Sequence, residues 1–179
     1  MGGFFGAVSK EDCVADLFFG TDYHSHLGTM RGGLAVMADK GFQRAIHDIS
    51  NSQFRTKFEN DFKKFTGKCG IGVISDNEDQ PLIISSHLGL YAIVTVGVVT
   101  NLNALVREMF TRRSAQFSEM SRSGINPTEL VATLINSQET FEAGVRFAQE
   151  KLEGSCSMLL LTGDGVLYAV RDRFGRTPV

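Results

Sequence analysis

The sequence predicts an α+β domain in which antiparallel sheets and helices occupy segregated layers. Three observations carry this expectation. Strand-like segments come in runs rather than alternating with helices. Phe54, Phe58, Phe62 and Phe65 recur at helical spacing among Lys, Glu and Asp. After a helical stretch the chain returns to a paired strand pattern near its end.

Gly3 to Ser9 is apolar between polar neighbours and reads as a buried strand. Residues 11–19 suit a short helix, with Ser9 or Asp12 near its cap. Thr21 to Arg31 reads as a second helical piece that ends at Gly32-Gly33, glycine being favoured past a helix C-terminus. Leu34 to Met37 and Phe42 to His47 form an expected hairpin across Asp39-Lys40-Gly41. The phenylalanine stripe is the buried face of an amphipathic helix. Cys69 to Ile74, Leu82 to Ser85 and Leu90 to Val99 follow as strands, the last carrying Val94, Val96, Val98 and Val99.

Residues 101–114, 127–136 and 138–151 have helical patterning. Asn101 suits a cap for the first of them. Asn126-Pro127 opens the second, with proline at its first position and Glu129 in its opening turn. Ser157 to Leu161 and Val166 to Val170 make a closing hairpin around Thr162-Gly163-Asp164-Gly165. No repeat, low-complexity stretch or Pro/Ser-rich linker divides the chain.

Composition narrows the function classes. The chain has 179 residues, 42% hydrophobic and 21% charged, as a single globular domain has. A formal net charge of -2 leaves no polyelectrolyte footprint, so neither nucleic acid nor an anionic membrane is an expected partner. No apolar run approaches the ~20 residues of a membrane span. Gly6 stands where a myristoylation signal calls for Ser or Thr. The three cysteines, Cys13, Cys69 and Cys156, lack metal-ligand spacing, and reduced thiols in a cytoplasmic protein are the expectation. No cofactor is implied.

Several motifs stand in a fixed order: Met1-Gly2-Gly3-Phe4-Phe5-Gly6-Ala7, Arg31-Gly32, Gly70-Ile71-Gly72, Gln80-Pro81, Gly97-Val98-Val99-Thr100-Asn101, and Arg171-Asp172-Arg173-Phe174-Gly175-Arg176-Thr177-Pro178. Together they resemble the class II glutamine amidotransferases, and within them the glutaminase domain of the amidophosphoribosyltransferases. The resemblance implies the N-terminal-nucleophile (Ntn) hydrolase sandwich, two antiparallel sheets between two layers of helices. It also implies that residues 1–179 are an incomplete amidotransferase domain, with a phosphoribosyltransferase domain downstream in the parent protein and a homo-oligomeric assembly.

The resemblance assigns site positions, and most hold unexpected residues. The family's nucleophile is a cysteine uncovered when the initiator methionine is removed. A thiol ionises readily, and the neighbouring α-amine serves as its base. Here position 2 is Gly2, which has no side chain. The family holds the glutamine carboxylate with an arginine after the Gly-Ile-Gly strand, a bidentate contact that a hydroxyl cannot reproduce; that place falls on Ser75. Its oxyanion hole uses an Asn-Gly pair, and the matching pair is Val96-Gly97. Losing one such side-chain donor typically costs about 10²–10³ in rate. An aspartate that faces the substrate ammonium maps to Pro127. Arg31 either shapes the pocket, as the resemblance implies, or satisfies helix-end carbonyls.

Other residues carry simpler readings. Cys13 is a structural thiol rather than a relocated nucleophile. His24 and His26 lack a third ligand at metal spacing. Gly163-Asp164-Gly165 is a hairpin turn, and Lys63-Lys64 and Arg112-Arg113 lie on solvated helix faces. The expected function is an amidotransferase domain that keeps its fold without glutaminase chemistry, as a structural or regulatory module. The alternative is part of a working amidophosphoribosyltransferase of purine biosynthesis that uses free or externally supplied ammonia.

Overall fold

The computed structural model describes residues 2–27, 30–76, 78–111, 120–121, 124–176 and 179. The expectations for Arg112-Arg113, for residues 112–114 of a helix and for Thr177-Pro178 fall outside them. The first sheet has the order β1-β4-β2-β3, built from Gly3–Val8 (β1), Arg31–Ala38 (β2), Gly41–Asp48 (β3) and Cys69–Ser75 (β4), all antiparallel. The second has the order β10-β9-β6-β5, from Leu82–Ser86 (β5), Gly89–Val99 (β6), Gly154–Thr162 (β9) and Leu167–Val170 (β10). A two-residue pairing of Met120–Ser121 (β7) with Gly124–Ile125 (β8) was not foreseen.

Helices Val14–Tyr23 (α1) and Phe54–Lys64 (α2) cover the outer face of the first sheet. Leu102–Thr111 (α3), Pro127–Asn136 (α4) and Phe141–Lys151 (α5) cover that of the second. Three apolar clusters match the four layers. Ile71, Val73, Val94, Val96, Leu159 and Leu161 fill the space between the sheets. Leu17, Leu34, Phe54, Phe58 and Ile74 seal α1 and α2 to the first sheet. Tyr91, Ile93, Leu130, Ile135, Met158 and Leu160 seal the other side. This is the αββα architecture expected from the resemblance.

Phe54, Phe58 and Phe62 of the phenylalanine stripe lie on α2 as their spacing requires, whereas Phe65 is the extended residue just past its end and packs against the same cluster. Phe54 and Phe58 are fully buried, with ring centroids 4.3 Å apart, and each such burial contributes roughly 1.5–3 kcal/mol. Phe62 packs at 4.7 Å against Phe18 of α1. Asn126 caps α4 by accepting the Thr128 N–H at 2.9 Å, and Thr140 caps α5 through the Ala143 N–H.

The sequence expectations are corrected at helix starts, since α1 begins at Val14 rather than at residue 11 and α5 at Phe141 rather than at residue 138, and more fully after α1. The helix over Thr21 to Arg31 does not form. After α1 ends at Tyr23, a single 3-10 turn over His24–His26 follows, and Arg31-Gly32-Gly33 begins the central strand β2. The glycines serve close approach, not helix termination. A β-carbon on Gly32 would press on the Phe54 and Phe58 rings, and one on Gly33 would collide with the Gln80 carbonyl oxygen. Arg31 therefore caps no helix.

Candidate functional site

Three of the six singled-out residues meet at one end of the first sheet. Arg31 at the start of β2 pairs in register with Ser75 at the end of β4. On the other side of β4, Gly3 pairs with Ile74, which sets Gly2 beside Ser75. The strand order β1-β4-β2 thus brings Gly2, Ser75 and Arg31 side by side.

That end of the sheet is tightly filled. A β-carbon on Gly2 would overlap the carbonyl oxygen of Ile74 and lie 3.3 Å from the Ser75 Cα. One on Gly3 would press into the ring of His24, which packs over the strand. Burial, followed by the charge of neighbouring His26, lowers the His24 pKa below the ordinary imidazole value. Ser75 is 5% exposed, and its hydroxyl donates to the Glu78 carbonyl oxygen at 2.6 Å. The Arg31 guanidinium lies between two carboxylates, with Nε 3.1 Å from Asp79 Oδ1 and Nη1 3.7 Å from Asp48 Oδ2.

The residues after β4 join this corner to the second sheet. The buried side chain of Gln80 accepts the Thr95 N–H at 2.7 Å and donates to the Thr95 carbonyl at 3.1 Å. Thr95 Oγ1 lies 2.7 Å from Thr128 Oγ1 in α4. The capping Asn126 reaches back, its amide donating to the Asp79 carbonyl at 3.1 Å. Arg44 Nη1 donates to the Pro81 carbonyl at 3.2 Å. Buried polar groups that are paired in this way rigidify the backbone they bridge.

Pro127 is the first residue of α4, one step past that cap. Val96 is 8% exposed, and its side chain enters the inter-sheet core that also receives Phe4 of β1. Gly97 follows with φ +145°, a conformation few L side chains adopt, and a β-carbon there would overlap the Ser155 carbonyl oxygen. The structure therefore sets Gly2, Ser75 and Arg31 side by side, ties the Asn126 cap that precedes Pro127 to Asp79, and leaves Val96 in the inter-sheet core and Gly97 exposed.

Two open cavities of about 350 and 330 Å³ lie elsewhere. Arg146, Phe147 and Glu150 of α5 help line the first; Leu90, Phe141 and Tyr168 help line the second. Neither is lined by any of the six residues. Cys13 is buried, and burial, then the charges of Asp12 and Cys69, push its thiol up to about 11. Burial and the Asp172 charge push Cys156 up to about 12. Neither thiol is poised to ionise near neutral pH. Among the described residues no group of three His, Cys, Asp or Glu side chains could hold a metal ion, and no helix is long and apolar enough to cross a membrane.

Sequence reasoning missed the joining segment. Gln80-Pro81 was noted only as part of a pattern, and Asp79, Thr95 and Thr128 were not singled out. The available signal was a glutamine before proline followed by an apolar strand, a polar side chain entering the core.

The glutamine amidotransferase domain family model matches residues 68–179. No curated protein sequence matches the chain significantly. Among solved structures, a glutamine phosphoribosylpyrophosphate amidotransferase from B. subtilis, complexed with ADP and GMP, is 22% identical with a TM-score of 0.74, covering 91% of this chain and 35% of its own. A structure described as the allosteric regulatory enzyme of purine biosynthesis is 19% identical with a TM-score of 0.75, covering 91% and 36%. A glutamine aminotransferase class-II domain protein from Silicibacter pomeroyi is 13% identical with a TM-score of 0.58, covering 96% and 76%. The chain thus spans about a third of the first two relatives. These likenesses establish the shared sandwich, and the matched family model establishes the lineage: the chain belongs to the glutamine amidotransferase domain family.

Proposed function

We propose that this chain is an amidophosphoribosyltransferase-like amidotransferase domain that keeps the sandwich and does not hydrolyse glutamine, acting as a structural or regulatory module of its parent protein. The observation that carries the proposal is the filled corner at Gly2. The position where the family resemblance puts a nucleophile has no side chain, and the Ile74 carbonyl occupies the space one would need. An acyl intermediate requires a side-chain sulfur or oxygen, and Gly2 supplies neither.

The neighbouring positions support the same reading. The Ser75 hydroxyl is committed to Glu78, and Arg31 sits between Asp48 and Asp79. Val96 contributes no hydrogen-bond donor, and Pro127 carries no charge to meet an ammonium group. A pocket for free glutamine would need a carboxylate clamp, an ammonium clamp and an oxyanion donor, and none of these residues provides one. The test is ammonia release from glutamine by the purified chain and by its full-length parent. The proposal expects background rates, and release that saturates with glutamine would refute it.

A second reading is favoured by the likeness to two larger structures, of which the chain covers 35% and 36%. On this reading the parent carries a phosphoribosyltransferase domain that works with free or externally supplied ammonia. Sequencing the parent for an acidic phosphoribosyl-pyrophosphate loop, then assaying phosphoribosylamine formation from ammonium salts, distinguishes it from a purely structural role. The downstream domain and a homo-oligomeric assembly belong to this proposal.

A further inference from the structure

The His24 imidazole rests on a place in β1 that only a glycine leaves free. A β-carbon on Gly3 would lie 2.7 Å from His24 Cγ and 2.7 Å from its Nδ1, and the three nearest atoms it would meet all belong to His24. The missing side chain is therefore the seat of the ring. Gly3 pairs with Ile74, and Gly2 precedes it beside Ser75, so the ring covers the end of β1 that enters the filled corner. β1 stands at the edge of its sheet and pairs with β4 alone.

The seat suits the neutral ring only. His24 Nδ1 is buried and meets no hydrogen-bond partner. A neutral imidazole can leave a bare lone pair there and carry its proton on Nε2. An imidazolium holds a proton on both nitrogens, and the one on Nδ1 would have no acceptor. Burying an unpaired donor on a charged ring is costly, whereas water satisfies it at once.

The surrounding charges act in the same direction. The 3-10 turn over His24–His26 packs against α1, β1 and β4. β1 carries no titratable side chain, and β4 only Cys69, at the end that pairs with Val8. Asp16 stands in the first turn of α1, at the other end of that helix. Asp22 is held by Arg55 at 2.7 Å, and the Tyr23 ring lies 5.6 Å from the imidazole. Burial, then the charge of His26, lowers the His24 pKa, and no carboxylate among the described residues offsets them.

We propose that His24 is a proton-operated cover for the Gly2–Gly3 end of β1, seated while its ring is neutral and released when the ring is protonated. Release uncovers the edge strand and loosens the corner. This response needs no glutaminase chemistry, so a glutaminase result leaves it untouched. A folded pKa below the unfolded value of about 6.5 contributes stability that is present above that pH and lost as pH falls through the folded value.

The test is NMR of the 179-residue chain from about pH 8 to about pH 4.5, following the His24 ring protons and the Gly3 amide. His24 is expected to titrate below about 6.5, with the Gly3 amide shifting in step with it. Gly3→Ala removes the seat and should return the His24 midpoint to about 6.5. Three results overturn the proposal. They are a His24 midpoint at or above the ordinary value, a Gly3 amide that does not follow it, and an unchanged His24 midpoint in Gly3→Ala. If Gly3→Ala does not fold, the titration of the unsubstituted chain decides alone.

Discussion

The carbonyl oxygen of Ile74 stands where a β-carbon on Gly2 would have to be. This one relationship separates a missing side chain from a missing place for one. A glycine in an open pocket could be replaced by cysteine and the pocket would regain a thiol. Here the neighbouring strand has closed over the position.

Gly2→Cys is therefore expected to add no glutaminase activity and to lower stability by about 1–3 kcal/mol, as overpacking does. Thermal unfolding and an ammonia-release assay on the variant check both parts. A stable variant that releases ammonia would show that the corner opens.

Gln80→Leu leaves the Thr95 N–H and carbonyl buried without their present partners. An unsatisfied buried group costs about 1–3 kcal/mol, and a loss of about 3 kcal/mol is expected in urea unfolding. Thr128→Val removes only the hydroxyl contact with Thr95 and should cost about 1 kcal/mol.

Much of this was legible in the sequence, for a physical reason. Phe54, Phe58 and Phe62 announce a helix because one face has to be buried. Pro127 after Asn126 announces a helix start because proline lacks the N–H that the first turn cannot use. Arg31-Gly32-Gly33 misled because glycine past a run of mixed residues reads as a helix end, whereas here it admits Phe54, Phe58 and the Gln80 carbonyl against a strand. Periodicity cannot tell those uses apart, since both need a missing Cβ. The site divided in the same way. Strand register makes Gly2, Ser75 and Arg31 neighbours, and the family resemblance had already grouped them. The pairing of Arg31 with Asp79 and of Ser75 with Glu78 depends on the path of the chain after β4, which no short-range pattern encodes.

Asp172 gives the fold an acid-sensitive fastening. Burial raises its pKa, but the hydrogen bonds from Arg176 and Cys156 and the Arg176 charge outweigh that, so the folded value lies below the ordinary carboxylate value. A depressed folded pKa contributes stability above the unfolded value of about 4 and loses it as pH falls through the folded value. Stability should drop on acidification below about pH 4, and Asp172→Asn should flatten that part of the profile. Urea midpoints across pH in the two proteins measure the difference.

Thiol reactivity follows burial. Cys13 and Cys156 are buried with raised pKa values, whereas Cys69 is partly exposed. Iodoacetamide at neutral pH should modify Cys69 first and leave Cys13 and Cys156 intact until the protein unfolds. Peptide mapping after timed alkylation reads the order, and early labelling of Cys13 would reopen its candidacy as a nucleophile.

The most direct test is intact-protein mass spectrometry after incubation with an electrophilic glutamine analogue, followed by peptide mapping of the first strand. The account predicts no adduct on the peptide that carries Gly2, whatever the partly exposed Cys69 takes up, because Gly2 offers no side-chain sulfur or oxygen to alkylate. A stoichiometric adduct confined to the segment around Gly2 would contradict it.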